Sequence, residues 1–315
     1  MILCGSEIRF WGGRGGEQLI RLAADTGFDG LALGPWCTRP DAVELIANAA
    51  TSGLAVPVAA APLLERPLAA GKRLPYLGSV GDPEERLAAA QLFEQSVEAT
   101  IPLGVRTFTI AFGDVALSVS PADMGAWFRR RELDEGEAHD EALGRVLAER
   151  RARSESILDA CRASLDRVVA AAERWGAVVA IELPAGPWGA PTPREASLLM
   201  AEYRQAPLGI VWDAARMQVL GRLGAAPSDE RAKSLAAAAR VWRANEAVGI
   251  DVGYLPGQGE DVDAVVSRDA CPESAALVVS GRGDSTEEEV RRARVLCRRT
   301  NAAKNPTDTE QTAER

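Results

Sequence analysis

Histidine is almost absent from this 315-residue chain, which has only His139. Histidine is the commonest metal ligand in proteins and the usual catalytic base near neutral pH. His139 stands among acidic residues, a setting typical of an exposed group that titrates in solvent. A histidine-rich metal centre is therefore excluded. A Ser-His-Asp triad built on Ser120 or Ser280 is disfavoured as well, because neither serine has a histidine near it in sequence.

Several other features are missing. The five cysteines, at positions 4, 37, 161, 271 and 297, include no Cys-x-x-Cys pair, so no metal-binding spacing is present. No apolar run approaches the length of a membrane span, and the first residues lack the basic and apolar regions of a signal peptide. These absences predict a cytoplasmic protein with reduced thiols and no membrane partner.

Positive charge is also scarce. The chain carries 36 Lys and Arg against 45 Asp and Glu, which gives a net charge of −9 and a pI near 5.0. A general binder of nucleic acid or of anionic membranes needs the opposite balance. The expected partner is therefore a small molecule, and the sequence leaves the oligomeric state open.

Short apolar segments alternate with amphipathic helical stretches along most of the chain. The predicted strands are 2–4, 28–33, 54–61, 105–111, 178–182, 208–213, 241–247 and 275–279. Eight strand–helix repeats predict an α/β protein with a closed (β/α)8 TIM barrel, in a single domain over residues 1–299. An open doubly wound sheet is the alternative. It is disfavoured because the glycine cluster at 12–16 does not form a proper phosphate loop after the first strand.

Two segments fall outside the regular repeat. Residues 114–146, after the fourth strand, are too many for a simple connection to a helix. An insertion there would overhang the barrel mouth, and a lid and a solvated excursion are both open interpretations. Residues 300–315 have no apolar side chain larger than alanine and are predicted to be a disordered tail.

Two acids close consecutive apolar strands and are the main functional lead. Glu182 ends the segment 178–182, and Asp213 ends the segment 208–213. Side chains at the carboxyl ends of barrel strands point into the mouth where TIM-barrel active sites lie. Trp188, in the loop after Glu182, is either a sugar-stacking platform or a loop anchor. Both acids could also be ion-pair partners or caps with no role as ligands.

The order of these pieces resembles the xylose isomerase-like TIM barrels, which include sugar phosphate isomerases and epimerases and the endonuclease IV group. The resemblance covers about residues 1–299 and is carried by four segments, 22–31, 180–183, 209–213 and 255–263. It implies a metal-binding glutamate at Glu182 and a metal-binding aspartate at Asp213. It also implies a divalent Mn, Mg or Zn ion as cofactor.

The sequence departs from that pattern at most other ligand positions. Arg216 replaces the histidine of the family's Asp-x-x-His, and Arg243 and Asn245 occupy the place of its His-x-His. An arginine stays protonated and has no lone pair to offer a metal, whereas its guanidinium fits a carboxylate. The sequence therefore predicts an arginine–carboxylate network with no bound metal. If metal is bound after all, Glu182 and Asp213 are its expected ligands.

Three hypotheses follow for function. The first is an isomerase- or epimerase-like barrel acting on a small polyhydroxylated or carboxylated metabolite. In it Glu182 is the base, Asp213 is its partner, and Arg216, Arg243, Asn245 and Trp188 bind substrate. The second is a barrel without catalysis that serves as a ligand- or partner-binding protein. The third, DNA repair in the manner of the endonuclease IV relatives, is disfavoured by the lack of histidines and of a basic track.

Overall fold

A computed structural model describes residues 1–6, 15–35, 37–68, 72–131, 137–248, 250–259, 272–281 and 285–302. Its strands are β1 (Ile2–Gly5), β2 (Gly30–Leu33), β3 (Ala55–Ala61), β4 (Thr107–Ile110), β5 (Val178–Glu182), β6 (Leu208–Asp213), β7 (Ala239–Ala244), β8 (Glu246–Val248), β9 (Asp251–Tyr254) and β10 (Ala276–Val279). Its helices are α1 (Gly16–Thr26), α2 (Arg39–Thr51), α3 (Pro83–Thr100), α4 (Pro121–Arg131), α5 (Glu137–Ala152), α6 (Ser154–Trp175), α7 (Pro193–Glu202), α8 (Ala214–Arg222), α9 (Asp229–Ala237) and α10 (Glu287–Ala302).

Eight strands close into a barrel in the order β1-β10-β7-β6-β5-β4-β3-β2. Every neighbouring pair in this barrel is parallel. Parallel neighbours require a crossover for each strand, and the helices between the strands provide it. The predicted (β/α)8 barrel is therefore confirmed.

One apolar side chain from each of seven barrel strands contributes to a buried cluster inside the barrel. These are Leu3, Ala32, Val58, Ala180, Val211, Val241 and Val278. A larger apolar cluster lies between the strands and the helices, and it includes Phe93, Phe108 and Leu165. Strands buried on both faces explain the nearly continuous apolar runs in the sequence.

The seventh strand ends earlier than predicted. The sequence predicted a strand over 241–247, but β7 ends at Ala244, and β8 turns away to pair antiparallel with β9. The Glu246 side chain is fully buried there and accepts a 2.9 Å hydrogen bond from the Gly257 backbone N–H. It also accepts one from the backbone N–H of Gly259. This carboxylate fixes the β8–β9 hairpin and the loop after it, which a pattern of apolar residues cannot reveal.

The long connection after β4 forms two helices at the carboxyl end of the barrel. Its apolar side chains pack against residues that follow β5, β6 and β7. The joint cluster contains Val119, Met124, Ala142 and Val146 from the connection, and Ala215, Val219, Leu223 and Ala247 from the mouth. The sequence predicted one helix over 147–175, but α5 and α6 are separate helices with Arg153 between them. Movement of 114–146 as a lid stays a prediction.

Two further predictions concern parts of the chain that the structure describes incompletely. The last helix, α10, extends to Ala302, and the rest of the predicted tail lies outside the described residues. The side chain of His139 also lies outside them. Within the described part of the chain, no helix is long and apolar enough to cross a membrane.

Candidate functional site at the carboxyl end of the barrel

Strand alternation places the predicted site residues inside the barrel mouth. Successive side chains of a strand point to opposite faces, so residues two apart share a face. Ala180 and Val211 fill the barrel interior, and Glu182 and Asp213 each lie two residues further along the same strands. Arg243 likewise lies two residues after Val241 on β7, and it stands beside Asp213 of the neighbouring strand β6.

Glu182 is enclosed by donor groups of three residues. Arg243 binds both of its oxygens, with Nη2 2.6 Å from Oε1 and Nη1 3.2 Å from Oε2. The Thr109 hydroxyl donates to Oε1 at 3.0 Å, and Arg216 Nη1 lies 3.1 Å from Oε2. Only 9% of Glu182 is exposed. A carboxylate held by a bidentate guanidinium and a second arginine is strongly fixed in position.

The pKa of Glu182 reflects two opposing influences. Burial alone would raise it, because a charged carboxylate is disfavoured away from water. The positive charges of Arg243 and Arg216 outweigh this effect, with help from the hydrogen bonds of Arg243 and Thr109. The pKa is lowered to about 2, so Glu182 stays ionised at every physiological pH.

Asp213 has a structural task at the same point. Its Oδ1 accepts from the backbone N–H of Arg216 at 3.0 Å and so caps α8. Its Oδ2 accepts from Asn245 Nδ2 at 3.3 Å and lies 3.4 Å from Arg216 Nε. Asn245 in turn accepts from the Ala215 backbone N–H at 3.4 Å. Asp213 and Asn245 therefore fix the start of α8, and with it the position of Arg216.

A cavity of about 380 Å³ opens beside this network. Glu182 and Arg216 line its polar part, and Trp188 forms part of its apolar wall. The Trp188 indole N–H also donates to the Val119 carbonyl at 2.7 Å, so this side chain anchors the loop as well. The volume is within the range of about 300–1,000 Å³ typical of small-molecule sites. Arg243 and Asn245 are not among the residues that line this cavity. Arg243 instead binds Glu182, and Asn245 binds Asp213.

Two functional neighbours were missed by reasoning from sequence. Thr109 stands in β4 beside Ala180 and contributes its hydroxyl to Glu182. The sequence signal for it was the position of a polar residue, Thr109, between the apolar residues Phe108 and Ile110. Asp114 lines the cavity from the loop after β4, where the sequence showed only the start of a long connection.

The donor groups at this site do not fit a divalent metal. A metal needs several open oxygen or nitrogen donors converging at about 2.0–2.2 Å. Both oxygens of Glu182 are taken by guanidinium groups, and both oxygens of Asp213 face N–H donors. Among the described residues, no group of three or more His, Cys, Asp or Glu side chains is placed to hold a metal ion.

The low pKa of Glu182 predicts an acid-sensitive fold. The unfolded pKa of a glutamate is about 4.3, and the folded value is depressed to about 2. The stabilisation is therefore complete above about pH 4.3 and is lost as the pH falls towards about 2. It amounts to roughly 3 kcal/mol. Urea unfolding between pH 6 and pH 2.5 measures it, with Glu182→Gln as the comparison. Parallel pH profiles for the two proteins would contradict the prediction.

Comparison with known proteins adds information on the fold. No protein-family model matches the sequence, and a search of curated proteins finds no match. Among solved structures, 3-keto-D-glucoside 4-epimerase from E. coli is 16% identical with a TM-score of 0.64, over 95% of this chain and 98% of that one. D-allulose 3-epimerase from Methylomonas sp. is 12% identical with a TM-score of 0.64, over 95% and 97%.

A xylose isomerase domain protein from Planctomyces limnophilus has the same architecture. It is 14% identical with a TM-score of 0.58, over 96% of each chain. Full-length superposition at such low identity establishes architecture and leaves chemistry open. The predicted resemblance is confirmed at that level, and the chain has the fold of the xylose isomerase-like TIM barrels.

Proposed function

We propose that this chain is an isomerase/epimerase-like barrel protein that binds a small polyhydroxylated or carboxylated metabolite at its carboxyl mouth. In this proposal the acids hold the binding arginines in place and take no part in proton transfer. The observation that carries it is the clamp on Glu182, whose two oxygens are bound by Arg243 and approached by Arg216.

The clamp argues against Glu182 as a general base. A base works best when its pKa lies near the working pH, whereas that of Glu182 is lowered to about 2. A proton arriving on its oxygens would also have to displace the guanidinium of Arg243. This favours the hypothesis of a binding protein over the hypothesis in which Glu182 abstracts a proton from substrate.

Arg216 is the group best placed to recognise a ligand. Its side chain is 25% exposed and lines the cavity, while Arg243 is only 10% exposed. The Leu183 carbonyl accepts from its Nη1 at 2.8 Å, and the capping contacts of Asp213 fix its backbone. Its Nη1 and Nε face Leu183, Glu182 and Asp213, so Nη2 is the group that can donate to a carboxylate or a hydroxyl group of a ligand.

A binding experiment tests this proposal. We expect calorimetric titration with a panel of aldoses, ketoses and aldonates, in the presence of EDTA, to show binding of at least one member. Arg216→Gln should weaken that binding by about tenfold or more, since hydrogen bonds to a charged group are lost. Arg174→Gln is the matched control, because Arg174 is an exposed arginine that pairs with Glu94 away from the mouth. Equal affinity in wild type and Arg216→Gln would overturn the assignment of Arg216.

Sugar epimerisation is the second candidate. The solved structures that share this fold include proteins named as 3-epimerases of D-allulose and L-ribulose. Glu182 lines the same cavity as the partly exposed Arg216, so a sugar bound there would lie beside this carboxylate. Incubation with D-allulose or D-fructose in D2O distinguishes the two candidates. Deuterium incorporation at carbon that is abolished by Glu182→Gln would establish epimerase chemistry and refute the purely binding role.

Metal independence is a separate part of the proposal. We expect the protein, purified without chelator, to hold no stoichiometric Zn²⁺, Mn²⁺ or Mg²⁺ by elemental analysis. Both acids are already paired with guanidinium groups. At a distance of about 4 Å and an effective dielectric of about 20, the repulsion between one guanidinium and a divalent ion is roughly 8 kcal/mol. One equivalent of metal that is lost on Asp213→Ala would show that the barrel has a metal centre.

A further inference from the structure

A second cavity adjoins the one beside Glu182. Its volume is about 840 Å³, and it lies between the loop before α3, the connection after β4 and the start of α6. Asp114, Pro121 and Trp188 line both cavities. The two cavities therefore meet at these three residues, and the outer cavity is by itself large enough for a small molecule.

Trp188 is fixed at the junction of the two cavities. Its ring lies so close to Gly186 that a Cβ atom there would approach Cε3 to 2.8 Å. Its indole N–H is bound to the Val119 carbonyl at 2.7 Å. A large aromatic side chain held from both sides offers contact area without a loss of side-chain entropy on binding.

The outer cavity carries its own polar groups. Asp114 accepts a 3.0 Å hydrogen bond from the Tyr76 hydroxyl, and the Tyr76 ring sits against Gly113, where no Cβ would fit. The Arg73 guanidinium lies 4.1 Å from the centre of the Tyr76 ring and pairs with Glu85. Its side chain is 56% exposed and lines the cavity.

These groups have the chemistry of a carbohydrate subsite. A carboxylate accepts hydrogen bonds from hydroxyl groups, a guanidinium donates to them, and an indole provides an apolar surface beside both. Asp114 lines both cavities, whereas its hydrogen-bond partner Tyr76 lines the outer one and is absent from the lining of the inner one. Thus the outer cavity can hold a second ring while the inner cavity holds the first.

We propose that the ligand is a glycoside with two rings, one beside Arg216 and Glu182 and the other beside Arg73 and Asp114. The linkage between the rings then passes Trp188. This inference rests on the proposed function, since it needs the inner cavity to bind a polyhydroxylated unit. It adds the size and class of the ligand, which the inner site alone does not determine.

Paired titrations test the inference. Single-ring sugars are compared with disaccharides that contain them: D-glucose with maltose and cellobiose, D-galactose with lactose, and D-fructose with sucrose. We expect at least one disaccharide to bind ten times more tightly than its single-ring component. Arg73→Gln and Tyr76→Phe should each remove this preference while the affinity for the single ring stays unchanged. Thermal unfolding shows whether each variant is folded, and two variants protect the test against the failure of one.

The outcomes separate this inference from the function on which it rests. If single-ring sugars bind as tightly as every disaccharide, the two-ring ligand is refuted and the inner binding site stands. If both outer variants keep the preference, the outer cavity is refuted as its source. If Arg73→Gln weakens single rings and disaccharides equally, Arg73 is a support of the inner site and the inference fails. If no sugar of either size binds, the two-ring inference fails, and titration with the aldonates decides whether the inner cavity binds a carboxylated ligand instead.

Discussion

Replacing Arg243 by methionine is expected to lower the free energy of unfolding by about 3–5 kcal/mol. The substitution removes two hydrogen bonds from Glu182 and leaves a carboxylate that is only 9% exposed without its main counter-charge. Arg216 contacts only one of its oxygens and compensates in part. Urea unfolding at pH 7 measures the loss. The same substitution should raise the pKa of Glu182, because the largest favourable charge is gone.

A double substitution provides the control for this expectation. Arg243→Met with Glu182→Leu removes both charges and should recover much of the loss, since apolar pairs can replace buried ion pairs. Arg174→Met breaks an exposed pair with Glu94 and should cost at most about 1 kcal/mol. A cost below about 1 kcal/mol for Arg243→Met would show that Glu182 is solvated or neutral in the folded protein.

A second large loss of stability is expected near the end of α5, in the connection that follows β4. Arg150, on α5, binds both oxygens of Glu195 on α7, at 2.8 and 2.6 Å. These side chains are 4% and 1% exposed, and Ser154 adds a 2.6 Å hydrogen bond to Glu195. Arg150→Met should destabilise the protein by about 3–5 kcal/mol, because it leaves the Glu195 charge buried. Hydrogen exchange should also speed up along α5.

Arg145 on the same helix gives a matched comparison. It pairs with Glu141 at the surface, where the two side chains are 57% and 75% exposed. Arg145→Met should therefore change the free energy of unfolding by at most about 0.5 kcal/mol. If Arg150→Met leaves exchange in α5 unchanged, this helix is held by its apolar contacts alone. The buried ion pair would then have no part in positioning the connection over the mouth.

The charged network at the mouth and the apolar cluster below it are separate parts of the barrel. The interior apolar cluster contains none of the four charged residues at the mouth. Glu182, Asp213, Arg216 and Arg243 together sum to zero formal charge, so the network is neutral without any bound ion. The side chains at the mouth of a barrel can thus differ without any change in the strands that carry them.

Reasoning from sequence succeeded best where periodicity was strongest. The predicted bounds of β5 and β6, 178–182 and 208–213, match the structure residue for residue. Each strand is a buried apolar run closed by one acid, so both its length and its end are visible in the sequence. The seventh strand was predicted too long, because β8 continues the alternation of apolar and polar residues after the barrel strand has ended.

The sequence by itself determined the barrel, the strands that carry the two acids and the presence of Arg216 and Arg243 close to the ends of β6 and β7. These features depend on local periodicity and on residue type, which are readable one segment at a time. Only the tertiary structure decided which arginine clamps Glu182 and which one faces the cavity. The contact of Arg243 with Glu182 spans 61 residues, and the contribution of Thr109 spans 73. Such contacts arise from closure of the barrel, which brings β4, β5 and β7 to one mouth and is encoded in no single segment.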